Sequence, residues 1–180
     1  MKELGTTTLH TKRLVLRRFQ EEDCQPFYDH YASDHNIQKY LTWNPYESYE
    51  DAVEFVKWNM EKYEDPFFFG WIIVYQDHVI GTISAYNVNI FNKSIELGYG
   101  ISSKYWHKGL ASEAGEEVVR FLFEDVGLHK IYASFEKENE ASRKVLEHLH
   151  FDYEGTSRDA IVKEDGSYCD QVYYSILNDE

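Results

Sequence analysis

The hydrophobic period of the chain changes half-way along, and that change limits the architectures open to it. Residues 67–75 and 79–88 are dense in β-branched and aromatic side chains around the turn residues Gln76, Asp77 and His78, the pattern of a hairpin. Asn92 and Lys93 then turn the chain into a third strand over residues 95–101. From Leu110 to Asp125 the period becomes helical, with Ala111, Ala114, Val118 and Leu122 on one face and Gly127 as the stop. Residues 130–135 return to strand character, and Ala141, Val145 and Leu149 form the stripe of a helix over 139–149. Strands over 151–162 and 168–177 close the chain around a turn at 163–166.

Ahead of the hairpin, residues 14–19 begin with a short apolar run that a strand can bury, and Glu21, Glu22 and Asp23 lead into a short helix over 26–31. Ser48 with Asp51 imitates a capping box, and Ala52, Phe55, Val56 and Tyr63 follow at helical spacing. The order is strand, helices, three strands, helix, strand, helix, two strands. That succession predicts an α+β fold with a mixed sheet.

No linker, repeat or low-complexity block divides the 180 residues, so one domain over residues 1–180 is expected. With 43% hydrophobic residues the chain supplies a real core, which excludes disorder. The net charge of −14 argues against nucleic acid or an anionic membrane as partner, since both require a basic face. A cationic partner such as an amine suits it better, and its Michaelis constant should depend on salt. Cys24 and Cys169 make neither a disulfide framework nor a four-ligand metal site, and His30, His35 and His78 lack ligand spacing, so no metal is expected. No apolar run approaches the roughly 20 residues of a membrane span, and the first 14 residues show no signal-like stretch, which predicts a cytoplasmic protein.

Chemistry concentrates in two stretches. In the first, the strand Glu96-Leu97-Gly98-Tyr99-Gly100-Ile101 runs through Ser102 to Lys108 and, at Gly109, opens into an amphipathic helix. The first turn of such a helix has unpaired N–H groups at the positive end of its dipole, which suits a phosphate or pyrophosphate. Gly109 permits close approach of an anion, Ala111 leaves room, and Lys104, His107 and Lys108 add positive charge. A plain helix start with solvated lysines would show the same residues. It is not a P-loop, because no Gly-Lys-Ser/Thr follows at the required spacing. In the second stretch, Asn139-Glu140-Ala141-Ser142 opens a helix, where Asn139 is first of all an N-cap and Ser142 falls at the third helical position.

Together these stretches resemble the GNAT superfamily of N-acetyltransferases, in the branch that includes the ribosomal-protein N-terminal acetyltransferases. The likeness runs from Thr11 to Ser175. It is strongest at Glu96-Leu97-Gly98-Tyr99, at Trp106 to Ala114, at Gly127-Leu128-His129-Lys130-Ile131, and at Asn139-Glu140-Ala141-Ser142 with Val145-Leu146-Glu147 and Phe151. The resemblance implies a mixed, largely antiparallel twisted sheet flanked by helices, with a splayed central strand pair. It also implies acetyl-CoA as cosubstrate. Backbone groups of Tyr99, Gly100 and Ile101 would hold the pantetheine arm like an added strand. The pyrophosphate would lie on His107, Lys108, Gly109, Leu110, Ala111 and Ser112, and Asn139 would contact the pantetheine side.

The chain departs from the pattern in three places. His107 and His150 stand where this branch usually has glycine, so left-handed backbone there would carry strain. Leu146 stands where other branches place a tyrosine acid, which makes Ser142 the candidate to protonate the departing CoA thiolate. Glu96 is the candidate base, directly or through water, or else a strand-end glutamate with structural partners. The alternative carboxylate position, on the strand after the second helix, falls at Ile161, and Asp159 faces the other way if that strand is regular.

The implied reaction is acetyl transfer to a primary amine, either a protein N-terminus or a small amine such as a polyamine or aminoglycoside. A non-catalytic acyl-CoA-binding module is the competing class. Tyr28, Tyr31, Tyr40, Trp43, Tyr46 and Trp71 are either acceptor-pocket walls or core, and a homodimer is a further expectation.

Overall fold

The computed structural model describes residues 1–38, 46, 48–163 and 165–178. Strands β1 (Leu9–His10), β2 (Leu14–Arg17), β3 (Phe69–Tyr75), β4 (His78–Asn89), β5 (Ser94–Ile101), β6 (Lys130–Glu136), β7 (Asp152–Val162) and β8 (Tyr168–Leu177) form one sheet. Their order is β1-β2-β3-β4-β5-β6-β8-β7, and every neighbouring pair is antiparallel except β5 with β6. The helices are α1 (Cys24–Phe27), α2 (His35–Gln38), α3 (Tyr49–Lys62), α4 (Leu110–Arg120) and α5 (Glu140–His148). This is the expected α+β architecture in the expected order. Only β1 and α2 were not anticipated, being too short to display a period.

Local chemistry explains the boundaries. The β3–β4 hairpin closes through Gln76 and Asp77, at φ 49° and 62°. Two successive positive φ values match the right-handed twist of the strands even without glycine. At the start of α3, Ser48 Oγ accepts the Asp51 N–H at 3.2 Å, while the Ser48 N–H donates to Asp51 Oδ2 at 2.9 Å. The helix expected over 110–125 is α4 followed by a wider, π-type turn (Phe121–Val126), ended by Gly127 at φ 82°. α1 is likewise prolonged by a π-type turn (Tyr28–Ala32).

Two apolar cores cover the two faces of the sheet. One lies under α4 and α5 and joins Trp71, Ile83, Ile95 and Leu97 to Leu110, Val118 and Leu146. The other lies under α1 and α3, where Phe19, Phe27, Ala52 and Val56 pack with Ile72. Phe27 stacks on Phe55 with ring centroids 5.3 Å apart. β7 forms the outer edge and is irregular between Ser157 and Ile161, with Asp159 at φ 50° and its N–H donating to Asp170 Oδ1. A regular strand there is therefore not what the chain builds, and the argument from strict alternation at Asp159 does not apply.

Candidate active site

The central parallel pair is joined over three register pairs only: Ser94 with Lys130, Ile95 with Ile131 and Glu96 with Tyr132. Beyond them β5 continues to Ile101, held by β4, and β6 continues to Glu136, held by β8. The strands part into a wedge. Among the described residues the edge of β5 over 97–101 that would face β6 has no strand partner, and backbone groups in such a place need one. A ligand lying extended along β5 would supply it. The Ile101 carbonyl is already engaged, since the Trp106 indole N–H donates to it at 2.7 Å.

A cavity of about 1220 Å³ fills the wedge. Tyr99, Gly100, Ile101, His107, Asn139 and Ser142 line it, as do Gly109, Leu110, Ala111 and Ser112. Two expected site residues lie off its wall. Lys108 places its ammonium over the Tyr105 ring, 5.0 Å from the centroid, and Glu96 sits at the apex of the wedge behind Ser134. Among the aromatic candidates Tyr46 and Trp71 line the cavity, whereas Tyr31 is fully buried and Tyr28 packs against the second core. Tyr40 and Trp43 lie outside the described residues.

The start of α4 has the character of an anion site. Gly109 is its N-cap at φ 71°, in the left-handed region, and among the described residues no side chain caps the first turn. The N–H groups there have no intrahelical acceptor. His107, in place of the usual glycine, is also left-handed at φ 60°, and His150 is at φ 63°. The strain expected of these two positions is present in the backbone.

Residues from the turn between β1 and β2 brace this loop. The Glu113 carboxylate accepts Thr11 Oγ1 at 2.6 Å, the Arg13 N–H at 2.8 Å and Arg13 Nε at 2.6 Å. Arg13 Nη1 in turn donates to the Lys108 carbonyl at 3.0 Å. Burial acts to raise the Glu113 pKa, but these donors outweigh it and hold the carboxyl below its ordinary range. Neither Arg13 nor Glu113 was legible as a site residue, because the two are 100 positions apart in sequence.

At α5, Asn139 Oδ1 accepts the Ser142 N–H at 3.1 Å, the N-cap read from sequence, with Ser142 at the third helical position. The Tyr99 hydroxyl donates to the Ser142 carbonyl at 3.1 Å, and burial pushes the Tyr99 pKa well up. At the apex, Glu96 is almost fully buried; its Oε1 accepts from Ser134 Oγ at 2.7 Å and its Oε2 from Asn87 Nδ2 at 2.9 Å. Gln171 Nε2 donates to the same Ser134 hydroxyl at 2.9 Å.

A family model for the acetyltransferase (GNAT) domain matches residues 13–152. The chain belongs to the GNAT acetyltransferase family. The uncharacterised N-acetyltransferase YnaD of Bacillus subtilis is 34% identical over 94% of this chain and 96% of its own length. The ribosomal-protein-uS5-alanine N-acetyltransferase of Escherichia coli is 30% identical over 91% of this chain and 87% of its own. A GNAT-family acetyltransferase structure from Bacillus anthracis superposes with a TM-score of 0.85 at 26% identity, covering 97% of this chain and all of the other. The GNAT splay, read first as an implication of four sequence segments, is the wedge between β5 and β6. Among the described residues the potential metal donors Glu136, Glu138 and Cys169 lie within 4.8 Å of one another, and Lys163 is paired with Glu136 at 3.1 Å. No helix among the described residues is long and apolar enough to cross a membrane.

Proposed function

We propose that the protein moves an acetyl group from acetyl-CoA to a primary amine by direct transfer in a ternary complex, and that the acceptor is a protein N-terminus. The observation that carries the cofactor half is the unpaired edge of β5 leading to the uncapped start of α4, an extended groove ending at an anion site. The similarity to the ribosomal-protein-uS5-alanine N-acetyltransferase over most of both chains supports the acceptor half.

Bound acetyl-CoA supplies the activated thioester. Backbone groups of Tyr99, Gly100 and Ile101 hold the pantetheine arm, with the amide N–H of Ile101 rather than its carbonyl left to offer, because Trp106 occupies the latter. The first-turn amides of Leu110, Ala111 and Ser112, with His107, Lys108 and Gly109 in the preceding loop, hold the pyrophosphate. Asn139 keeps its Nδ2 for the pantetheine side while its Oδ1 caps α5.

The attacking amine must be neutral. Glu96 takes the proton of the incoming ammonium through Ser134, whose hydroxyl lines the cavity and points its own proton at Glu96 Oε1. Ser134 accepts the amine's proton as it gives up its own. Ser142 then gives its hydroxyl proton to the departing sulfur and takes in exchange the proton that the nitrogen sheds as it becomes an amide.

The test is a thiol-release screen over N-terminal peptides, polyamines and aminoglycosides, run beside calorimetric titration with acetyl-CoA. Release from peptides supports the reading. Release from small amines only would move the enzyme to small-molecule acetylation, and acetyl-CoA binding with no release from any amine would leave a binding module.

A further inference from the structure

The part of the cavity reaching away from the cofactor cradle has its own chemistry. Register pairs Gly70 with Ser84 and Ser84 with Gly98 set three small residues side by side across β3, β4 and β5. With strands about 4.8 Å apart, this row runs about 10 Å from the wedge to the underside of α3. The two glycines let aromatic rings lie against the sheet. A Cβ at Gly70 would stand 2.9 Å from Phe68 Cζ, and one at Gly98 would stand 2.9 Å from Tyr86 Cε1. Phe19, Tyr46, Phe55 and Trp58 complete this aromatic arm.

Among the described residues, the arm contains no carboxylate and no ammonium. The acidic residues lining the cavity, Glu138 and Glu140, stand at the start of α5 on the cofactor side. The polar groups of the arm are neutral: the hydroxyls of Thr82, Ser84, Tyr46 and Tyr86 and the amide of Asn59.

Asn59 is out of place by pattern. It continues the buried stripe Ala52, Val56 of α3, where an apolar residue is the rule, and is only 3% exposed. Its Nδ2 donates to the Phe55 carbonyl at 2.9 Å. Its Oδ1 stands 3.0 Å from the Cβ position of Gly70, at the far end of the row, and accepts no hydrogen bond among the described residues. Among the described residues the enclosed side-chain atoms without a partner are His30 Nδ1 and Tyr31 OH, so Asn59 Oδ1 opens onto the cavity, where a ligand N–H or O–H can take the place of water.

We infer that this arm selects primary amines with a neutral, apolar or aromatic body, and that Asn59 Oδ1 accepts a hydrogen bond from an N–H or O–H about 10 Å from the reacting nitrogen. The inference rests on the acetyl-transfer reading above and specifies its acceptor. The same chemistry has two sources: a peptide whose first residues are apolar and whose backbone N–H reaches Asn59, or a free aromatic amine with a distal hydroxyl or amide. Amines with several charges would leave their water in this arm without a counter-charge. The acidic surface can still draw an ammonium in, but its effect is steering rather than fit.

The test compares Michaelis constants for four acceptors: a peptide beginning Phe-Leu, a peptide beginning Lys-Asp, an aromatic amine with a distal hydroxyl, and spermidine. The apolar-bodied acceptors should have KM values at least tenfold below the charged ones. In a primary alkylamine series KM should fall about fourfold per methylene until the arm is filled. Which of the peptide and the aromatic amine is favoured identifies the source. Equal or lower KM for spermidine or the Lys-Asp peptide would overturn the inference while leaving acetyl transfer intact. If no amine releases CoA, the transfer reading fails, and calorimetry of the same amines on the CoA-loaded protein still decides the selectivity of the arm.

Two substitutions separate recognition from structure. Asn59→Leu and Asn59→Asp both lose the bond to Phe55, but only the aspartate puts a charge at the end of the arm. Asn59→Leu should raise acceptor KM about tenfold without changing that for acetyl-CoA. Asn59→Asp should make a diamine with nitrogens about 10 Å apart a substrate at least tenfold better than it is for the parent protein. If the two variants behave alike toward the diamine, Asn59 is structural and the inference fails.

Discussion

The Tyr99 hydroxyl donates to the Ser142 carbonyl at 3.1 Å, tying the middle of β5 to the first turn of α5 across the open end of the wedge. Burial keeps this phenol protonated at any ordinary pH, so it is a permanent donor. Asn139 holds the same turn from its other side through the Ser142 N–H. The Ser142 backbone is thereby held between two anchors, which sets where its hydroxyl stands relative to a sulfur leaving from β5. Ser142→Ala should lower kcat about a hundredfold with little change in the KM for acetyl-CoA. Tyr99→Phe should lower kcat about tenfold, and the double variant should be no worse than Ser142→Ala, since both act on one proton transfer. Additive losses in steady-state kinetics would mean that Tyr99 acts elsewhere.

The apex pair gives a second prediction. Ser134 is the only residue that both lines the cavity and donates to Glu96 among the described residues. Glu96→Gln should lower kcat/KM by about a hundredfold with little change in the KM for acetyl-CoA. Ser134→Ala should lower it about tenfold, because water can replace a hydroxyl but not a base. If Glu96→Gln keeps the parent's kcat/KM, the base lies elsewhere and Glu96 is the strand-end glutamate of the alternative reading.

The sequence carried the elements whose periods are long, and it carried the site where the site is local. Residues 95–101 and 110–125 are continuous in sequence, and both the edge and the helix start they form could be read from them. Asn139 and Ser142 are three positions apart, so their cap was legible as well. What stayed hidden depends on register or on distant segments. The Gly70-Ser84-Gly98 row exists only once β3, β4 and β5 are paired, and the brace of Arg13 on Glu113 spans 100 positions. Glu96 could be nominated, but its Ser134 partner, on a strand 38 positions later, could not.

That brace predicts an acid-sensitive loop. The Glu113 carboxyl is held below its ordinary range in the folded chain, so its contribution to stability is fully present above the unfolded value of about 4.3 and is lost as pH falls through the folded one. Glu113→Gln should therefore be less stable than the parent at pH 7, with the difference shrinking below about pH 4. Urea midpoints at pH 7, 5, 4 and 3 check the sign, and a constant difference would reject it. Arg13→Ala releases the Lys108 carbonyl and should raise the KM for acetyl-CoA about fivefold, a modest loss for a half-exposed pair.

The wedge also depends on how closely β4 and β5 approach. A Cβ at Gly81 would stand 2.1 Å from the Gly100 carbonyl oxygen, a backbone atom that no rotamer can move aside. Gly81 pairs with Ile101, so relief requires β5 to shift just where its free edge is to receive the cofactor. Gly155, at the outer edge, has nothing within 4 Å of its Cβ position and serves as the control. Gly81→Ala should cost about 3 kcal/mol of stability and weaken acetyl-CoA binding, whereas Gly155→Ala should change neither by a measurable amount. Paired urea melts and acetyl-CoA titrations read both effects. If Gly81→Ala lost stability but bound acetyl-CoA as the parent does, the cofactor would not lie along residues 99–101.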